Sequence, residues 1–516
     1  MSTESEINQR FAAQLPGNLI SNIVFFLVNV FIGILLVPYF ISTLGVAAYG
    51  LIPLATSLMS YVSIITDSLN VAVSRFLTVD LQKQDYLKAN KTFNTALFGL
   101  SGIIALLIPF SMLISYYAPK IFNVPAGEEF EVIILFLGVS IAVLFRSWSS
   151  NFTVSLFAHN RLDLLNFLNI MGVLVQVFII VILFTTISPQ LGYIGFAYLI
   201  SSIAFLFGAI ILSKRINPHL HIDIRDFDRS RLTDLIYMGW WTVVNNIGSL
   251  LFLEIDLIVV NLLFGATVAG EYAVVFLWAM LIRAIAGTLA GVLNPMILTY
   301  YAKEKFDKII QVSKSAVKGL GLFIALPIGL ICGFAPQILT LWVGPQFAYL
   351  APLMWVLILP LVINLCVLPL FAINVAFNKV RIPGIITLFM GVGNVILAFS
   401  LPLLLGWSYY GVAIAGAIML TLKNTFFTPW YATKIMYISR NTYTKSMVLG
   451  IFATLIIAGF SAIIGKIFII SSLISLTIFG GIISIVYLIV IWYIGLNQFE
   501  REIFINYIPK KYRVIG

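Results

Sequence analysis

The stretch Leu44-Gly45-Val46-Ala47-Ala48-Tyr49-Gly50 decides the fold, because the chain returns to it as Phe264-Gly265 and then Gly270-Glu271-Tyr272-Ala273. Three further echoes follow in the same order. Ala118-Pro119-Lys120-Ile121 returns as Ala335-Pro336-Gln337-Ile338. Asn160-Arg161 with Met171-Gly172 returns as Asn378-Lys379 with Met390-Gly391, and Leu191-Gly192 with Gly195 returns as Leu405-Gly406 with Gly411. The offset stays close to ~220 residues, a period that chance does not hold across four pairs. The echoes sit among long apolar runs. The repeat is therefore a duplicated helical bundle, an arrangement that in many transporters places the substrate path at the seam between copies.

Hydrophobic residues make up 61% of the 516 and charged residues 10%. The mean hydropathy is +1.06. Apolar runs of ~20 residues recur along the chain, which predicts a polytopic helical membrane protein. They do not alternate every second residue as a membrane β-barrel would. Cys332 and Cys366 fall inside apolar runs and are read as packing residues, with no disulfide or metal pattern. His219-Leu220-His221 is read as a solvated loop in preference to a metal-binding fragment. The first apolar run, 17–42, is too long for a signal-peptide core and is expected to be a retained first helix.

Fourteen spans are expected, at 17–42, 47–73, 91–118, 131–156, 163–187, 192–213, 236–263, 268–297, 317–341, 349–377, 383–405, 409–431, 447–468 and 472–495. With that count, most of the 30 lysines and arginines fall on the side of the N-terminus, while Lys120 and Lys466 fall opposite. This predicts a cell-membrane protein with both termini in the cytoplasm. The net charge of +10 then belongs to the cytoplasmic face and calls for no nucleic-acid partner. The expected fold class is an all-α polytopic membrane protein of about fourteen helices. Two like-oriented six-helix lobes would surround a central cavity, with two extra C-terminal helices. Its expected parts are an N-terminal segment 1–16, an N-lobe 17–213, a linker 214–235, a C-lobe 236–431, the extra helices 432–495 and a tail 496–516. The charged stretches 74–90 and 298–316 echo each other and are expected to form short interfacial helices.

The chain resembles the multidrug/oligosaccharidyl-lipid/polysaccharide exporter superfamily, and within it the polysaccharide-transport, O-antigen flippase-like branch. The residues carrying the resemblance are Gly45 with Tyr49-Gly50, Arg75 through Asp85-Tyr86-Leu87-Lys88-Ala89, and Ile255-Asp256. Phe264-Gly265, Gly270-Glu271-Tyr272-Ala273, Ala335-Pro336-Gln337-Ile338, and Leu405-Gly406 with Gly411-Val412-Ala413 complete the set. They are scaffold residues spread over 15–435, with no catalytic signature. The resemblance implies two lobes in a V around a central cavity, alternating access, and flipping of a polyprenyl-diphosphate-linked oligosaccharide. The added helix pair is similar to that of lipid II flippases.

The repeat also serves as an internal control, because the intramembrane charges are not duplicated. By the offset, Arg283 corresponds to Ser63, Asp67 to Gly287, Glu254 and Asp256 to Ile34 and Leu36, and Arg146 to the neighbourhood of Ile363. An arginine deep in the bilayer costs about 3 kcal/mol on insertion scales unless it meets water or a partner. Arg146 and Arg283 are therefore candidate grips on a diphosphate, since a guanidinium donates two parallel hydrogen bonds to phosphate oxygens. The structural alternatives are snorkelling for Arg146 and an ion pair with Asp256 or Glu254 for Arg283. Arg75 and Lys423 are candidates for drawing in the anionic headgroup, or ordinary positive-inside residues. Asp256, Glu254 and Asp67 are candidate proton- or sodium-coupling acids; no other cofactor is implied. Their alternatives are partnership with Arg283 and, for Asp67, an interfacial role. Glu254 and Asp256, two residues apart, are expected on different helical faces. Trp240 and Trp241 are expected as interface anchors, and Gly287-Thr288-Leu289-Ala290-Gly291 as a small-residue surface for close helix contact.

These features favour a non-enzymatic flippase for cell-surface polysaccharide synthesis. Its partners would be its lipid-linked cargo, membrane lipids and polysaccharide-assembly proteins. A sodium- or proton-coupled exporter of drugs or small molecules and a lipid II-type precursor flippase are the alternatives. A membrane glycosyltransferase would need a large external loop or soluble domain for its catalytic residues, and the sequence has room for neither.

Overall fold

Gly45 ends one helix and starts the next. Its φ of 85° is the left-handed region that glycine enters without cost. In this computed structural model, residues 2–498, 500 and 501 are described, apart from the side chains of 2–13, 15, 239–242 and 295. Lys510, Lys511 and Arg513 of the tail, and the anchor role expected of Trp240 and Trp241, lie outside the described residues.

Helices α1 (Ser2–Leu44), α2 (Val46–Gln82), α3 (Tyr86–Ile121), α4 (Glu129–Ala158), α5 (Leu162–Thr186), α6 (Leu191–Ile216) and α7 (Arg229–Leu253) build the first compact unit. It also takes in α8 (Ile255–Gly291) as far as Ala273, and residues 387–399. Lipid supplies no hydrophobic drive for helix association, so small residues that let backbones approach do the packing. A Cβ on Gly138 of α4 would lie 2.3 Å from the carbonyl oxygen of Gly195 of α6. The two echoed glycines of the opening motif touch each other: a Cβ on Gly50 would fall 2.5 Å from the amide nitrogen of Gly270. Beneath these contacts Phe93, Leu97, Leu100, Phe152 and Leu156 form a fully buried core.

The segment between α6 and α7 is strapped along α3. Asn90 donates to the His219 carbonyl (2.9 Å) and accepts from the His221 amide (3.0 Å). One helical turn on, Asn94 does the same with His221 and Asp223. Asp228 then caps α7 through the amides of Ser230 and Arg231. Arg231 reaches back to pair with Asp80 of α2 at 2.6 Å.

The second unit holds residues 274–386 and 400–516. After α8 come α9 (Asn294–Ala302), α10 (Phe306–Gly333), α11 (Ala335–Trp342), α12 (Ala351–Ile358), α13 (Leu361–Cys366) and α14 (Phe371–Ala376). They are followed by α15 (Arg381–Leu405), α16 (Ser408–Leu422), α17 (Thr428–Met436), α18 (Thr444–Ile467) and α19 (Leu473–Val490). Helix α18 docks on α10 along a seam of residues one or two helical turns apart. Gly321 meets Gly450, Gly329 meets Ile457, and Gly333 meets Ser461, where an added Cβ would come within 2.4 Å.

The duplication is written in the backbone as well. Left-handed residues recur at matching places: Gly45 and Gly265 (φ 85° and 90°), Gln84 and Glu304 (58° and 54°), Gly127 and Gly344 (87° and 115°), Asn160 and Asn378 (55° and 52°). The helix ends at the two asparagines close identically. Arg161 donates to Leu156 O at 2.9 Å and Lys379 to Asn374 O at 2.8 Å, the bond pattern that follows a left-handed residue.

The architecture is all-α, with 13 helices long and apolar enough to span a membrane among the described residues. The seventh expected span, 236–263, is not one helix: α7 stops at Leu253 and α8 starts at Ile255. The span expected at 349–377 is likewise broken into α12, α13 and α14. Pro360 and Pro369 stand in its interruptions, where a missing N–H and a fixed φ end each turn. The expected interfacial helix at 74–90 is instead the continuation of α2 to Gln82 and the start of α3, whose first turn Asp85 caps through Lys88 N. Residues 298–302 belong to α9, and α10 begins four residues later. Gly287 and Gly291 have nothing within 4 Å of an added Cβ, so these two glycines make no close helix contact, although Ala290 between them is buried. His219 stacks on Tyr86 with ring centroids 4.6 Å apart, and both cysteines are buried.

Candidate functional site

Polar residues that recur on one face of an otherwise apolar membrane helix need water, a partner or cargo. In the first unit four such faces converge. Asp67 and Asn70 come from α2, Arg146 and Ser150 from α4, Asn169 and Gln176 from α5, and Tyr198 and Ser201 from α6. Together they line an open cavity of about 390 Å³. Asn169 and Gln176 are seven residues apart, two helical turns, which puts both on the cavity face.

Arg146 lies well inside α4 and is exposed to this cavity. Its Nη2 donates to Asn169 Oδ1 at 2.8 Å, and its guanidinium carbon sits 3.7 Å from the Phe205 ring centroid. An amide and an aromatic face position the group without neutralising it. Asp67 is also exposed to the cavity and accepts from the Ser63 hydroxyl at 2.8 Å. Among the described residues no ion pair joins the two charges. One cavity thus offers a fixed cation with free donor positions, a carboxylate, and a wall of hydroxyls and amides. Phosphate and sugar oxygens can be met by such donors, and a proton or cation by the acid.

Glu254 and Asp256 occupy the break between α7 and α8. Glu254, the residue that ends α7, accepts from Ser57 of α2 at 2.6 Å. Asp256 is buried, 4% exposed, and accepts from the Tyr272 hydroxyl at 2.9 Å. Each acid has its own hydroxyl partner, and neither lines the Arg146 cavity. The break itself went unread in the sequence, because no proline or glycine marks it.

Arg283 belongs to the second unit, half-buried, with its guanidinium 5.9 Å from the Phe276 ring. Lys423 is also in that unit. It is enclosed, 7% exposed, on a π-helical turn Lys423–Phe427, with its Nζ 5.5 Å from the Phe371 ring. Arg75 is exposed near the end of α2, with Nη1 3.8 Å from the Met238 sulfur. Of the seven residues singled out, the structure brings Arg146 and Asp67 into one cavity. The α5 and α6 residues beside them were missed, although the two-turn spacing of Asn169 and Gln176 was there to find.

The family model for "polysaccharide biosynthesis protein" matches residues 17–301. The chain belongs to this family. A Bacillus subtilis (strain 168) relative, "uncharacterized membrane protein EpsK", is 33% identical over 434 residues, 84% of this chain and 85% of the relative. Among solved structures, an inward-facing multidrug resistance MATE family transporter of the MOP superfamily aligns with a TM-score of 0.61 at 16% identity. The alignment covers 78% of this chain and 93% of that one. An outward-facing MATE family transporter gives 0.60 at 15% identity over 84% and 97%. At such identities the likeness carries the fold alone. Family and fold agree with the exporter superfamily expected from the motifs.

Proposed function

We propose that this polysaccharide-biosynthesis family member is a transporter, not an enzyme. It moves a polyprenyl-diphosphate-linked oligosaccharide across the cytoplasmic membrane by alternating access, with both termini in the cytoplasm. The observation that carries this reading is Arg146, held open to a polar intramembrane cavity by Asn169 and Phe205. A guanidinium that is positioned but not neutralised suits an anionic diphosphate. The neighbouring hydroxyls and amides suit sugar oxygens. The isoprenoid tail would stay in lipid, and assembly proteins would deliver and take the cargo.

The test is movement of a fluorescent polyprenyl-diphosphate saccharide between leaflets of proteoliposomes. Arg146→Ala is expected to slow it at least tenfold and Arg146→Lys less, since a lysine keeps the charge but not the paired donors. Unchanged transport in Arg146→Ala overturns the grip. Asp67 in the same cavity favours a second reading, a sodium- or proton-coupled exporter. Asp67→Asn would then retain movement of the cargo while its dependence on sodium or pH disappears.

A further inference from the structure

A second cavity, of about 600 Å³, lies in the other unit at the basic end of α18. One wall comes from the π turn before α17 and from α17 itself, through Phe427 and Trp430. The facing wall is one stripe of α18, where Thr444, Val448 and Ile451 recur at helical spacing. Seven residues separate Thr444 from Ile451, so the stripe runs about 10 Å along α18, a length that an acyl chain can follow. Arg440 and Asn441 close the outer end.

The two ends differ in chemistry. The inner end is apolar: Val448, Ile451 and Ile363 line it, and Phe426 on the same turn is an exposed aromatic, 67% accessible. The outer end is cationic. Arg440 is exposed, and Lys434 sits 5.0 Å over the Trp430 ring. Among the described residues no ion pair takes up either charge. Helix α18 also begins without a side-chain cap, so its positive dipole end adds to theirs. The Thr425 hydroxyl on the cavity wall makes no hydrogen bond. A cationic mouth over an apolar slot fits an amphiphile with an anionic phosphodiester head.

We propose that this cavity holds an anionic glycerophospholipid of the membrane, with its phosphodiester at Arg440, Asn441 and the start of α18, and an acyl chain along Val448 and Ile451. The site is separate from the Arg146 cavity and stands whether or not the cargo assignment does. A lipid seated there would tie α18, which lies outside the duplicated lobes, to α17 within them.

The test uses the purified full-length protein, exchanged into equal amounts of phosphatidylglycerol and phosphatidylcholine with identical acyl chains. Retained lipid is counted by native mass spectrometry. The wild type is expected to keep phosphatidylglycerol about fivefold over phosphatidylcholine, the preference that one basic residue near the surface confers. Arg440→Gln brings the ratio near parity, and Val448→Trp, which fills the slot, lowers retention of both lipids. Lys466→Gln at the far end of α18 leaves the ratio unchanged. Equal retention by the wild type, or a preference that survives Arg440→Gln, overturns the proposal. Displacement of the phospholipid by an equimolar polyprenyl phosphate also overturns it, because the slot would then be a cargo site.

Discussion

The two halves of the chain share a skeleton and differ in what fills it. Gly45 and Gly265, Gln84 and Glu304, Gly127 and Gly344, Asn160 and Asn378 hold the same left-handed backbone at matching positions. The helices between them have diverged. Where the first half has an unbroken α4 carrying Arg146, the second has three short helices between Ala351 and Ala376. Where α6 is regular, the corresponding stretch after α16 opens into a π turn at Lys423. Turn residues are fixed by steric necessity, because few side chains tolerate positive φ. Cavity-facing residues are held by no such constraint.

The largest expected effect sets a packed glycine against an open one. A Cβ on Gly270 would lie 1.9 Å from the Val46 carbonyl oxygen, whereas Gly287 has nothing within 4 Å. Gly270→Val should abolish a monodisperse size-exclusion peak, and Gly287→Val should leave it intact. Equal behaviour would mean that the small residues are not what seats α2 against α8. Next comes Asp80→Asn, which strips the half-buried Arg231 of its carboxylate. It should cost about 2–3 kcal/mol, less than the loss of one partner from a fully buried pair, because Arg231 keeps some contact with water. Thermal unfolding would show the loss, and Asp80→Asn with Arg231→Met should recover part of it. Asn160→Ala and Asn378→Ala should each cost about 1 kcal/mol through left-handed strain, and by the same amount if the two turns are equivalent. A large difference between them would locate divergence in the skeleton itself.

The smallest effect concerns Glu128, the residue before α4. Acidic groups there meet a favourable helix dipole. Even so, burial first, then repulsion from Glu131 and Glu129, raises the Glu128 carboxyl above its usual range. The folded state thus holds this proton more tightly than the unfolded state does. Its contribution is lost as pH rises through the raised value, and at neutral pH the ionised group is a small liability. Glu128→Gln should raise Tm slightly at pH 7, by about 1 °C, and have no effect near pH 4. A gain that persists in acid would point to packing instead.

The sequence made the repeat legible through residues whose conformation is dictated locally. Gly45 and Gly265 are written in the chain because almost nothing else fits there, and the same constraint exposed Asn160 and Asn378. Arg146 was legible because charge at that depth is costly. The interruption at Glu254 was not, since apolar residues on both sides preserve the helical pattern and the residue that ends α7 is not a helix breaker. Pro360 and Pro369 stand at the breaks before α13 and α14, but hydropathy alone runs over them and reads 349–377 as one span. Glycine spacing misled in one place. Gly287 and Gly291 have the same four-residue interval as Gly329 and Gly333, yet only the latter pair meets a neighbouring helix. Spacing gives a face without saying what covers it.

The strap made by Asn90 and Asn94 bears on how the chain is made. Its two ladder rungs use nothing beyond Asp223, so they can close before α7 has emerged from the ribosome. The first six helices can therefore finish their own exit segment and present the next hydrophobic stretch from a fixed point. Insertion of the second bundle would then start from an anchored stem instead of a swinging tether.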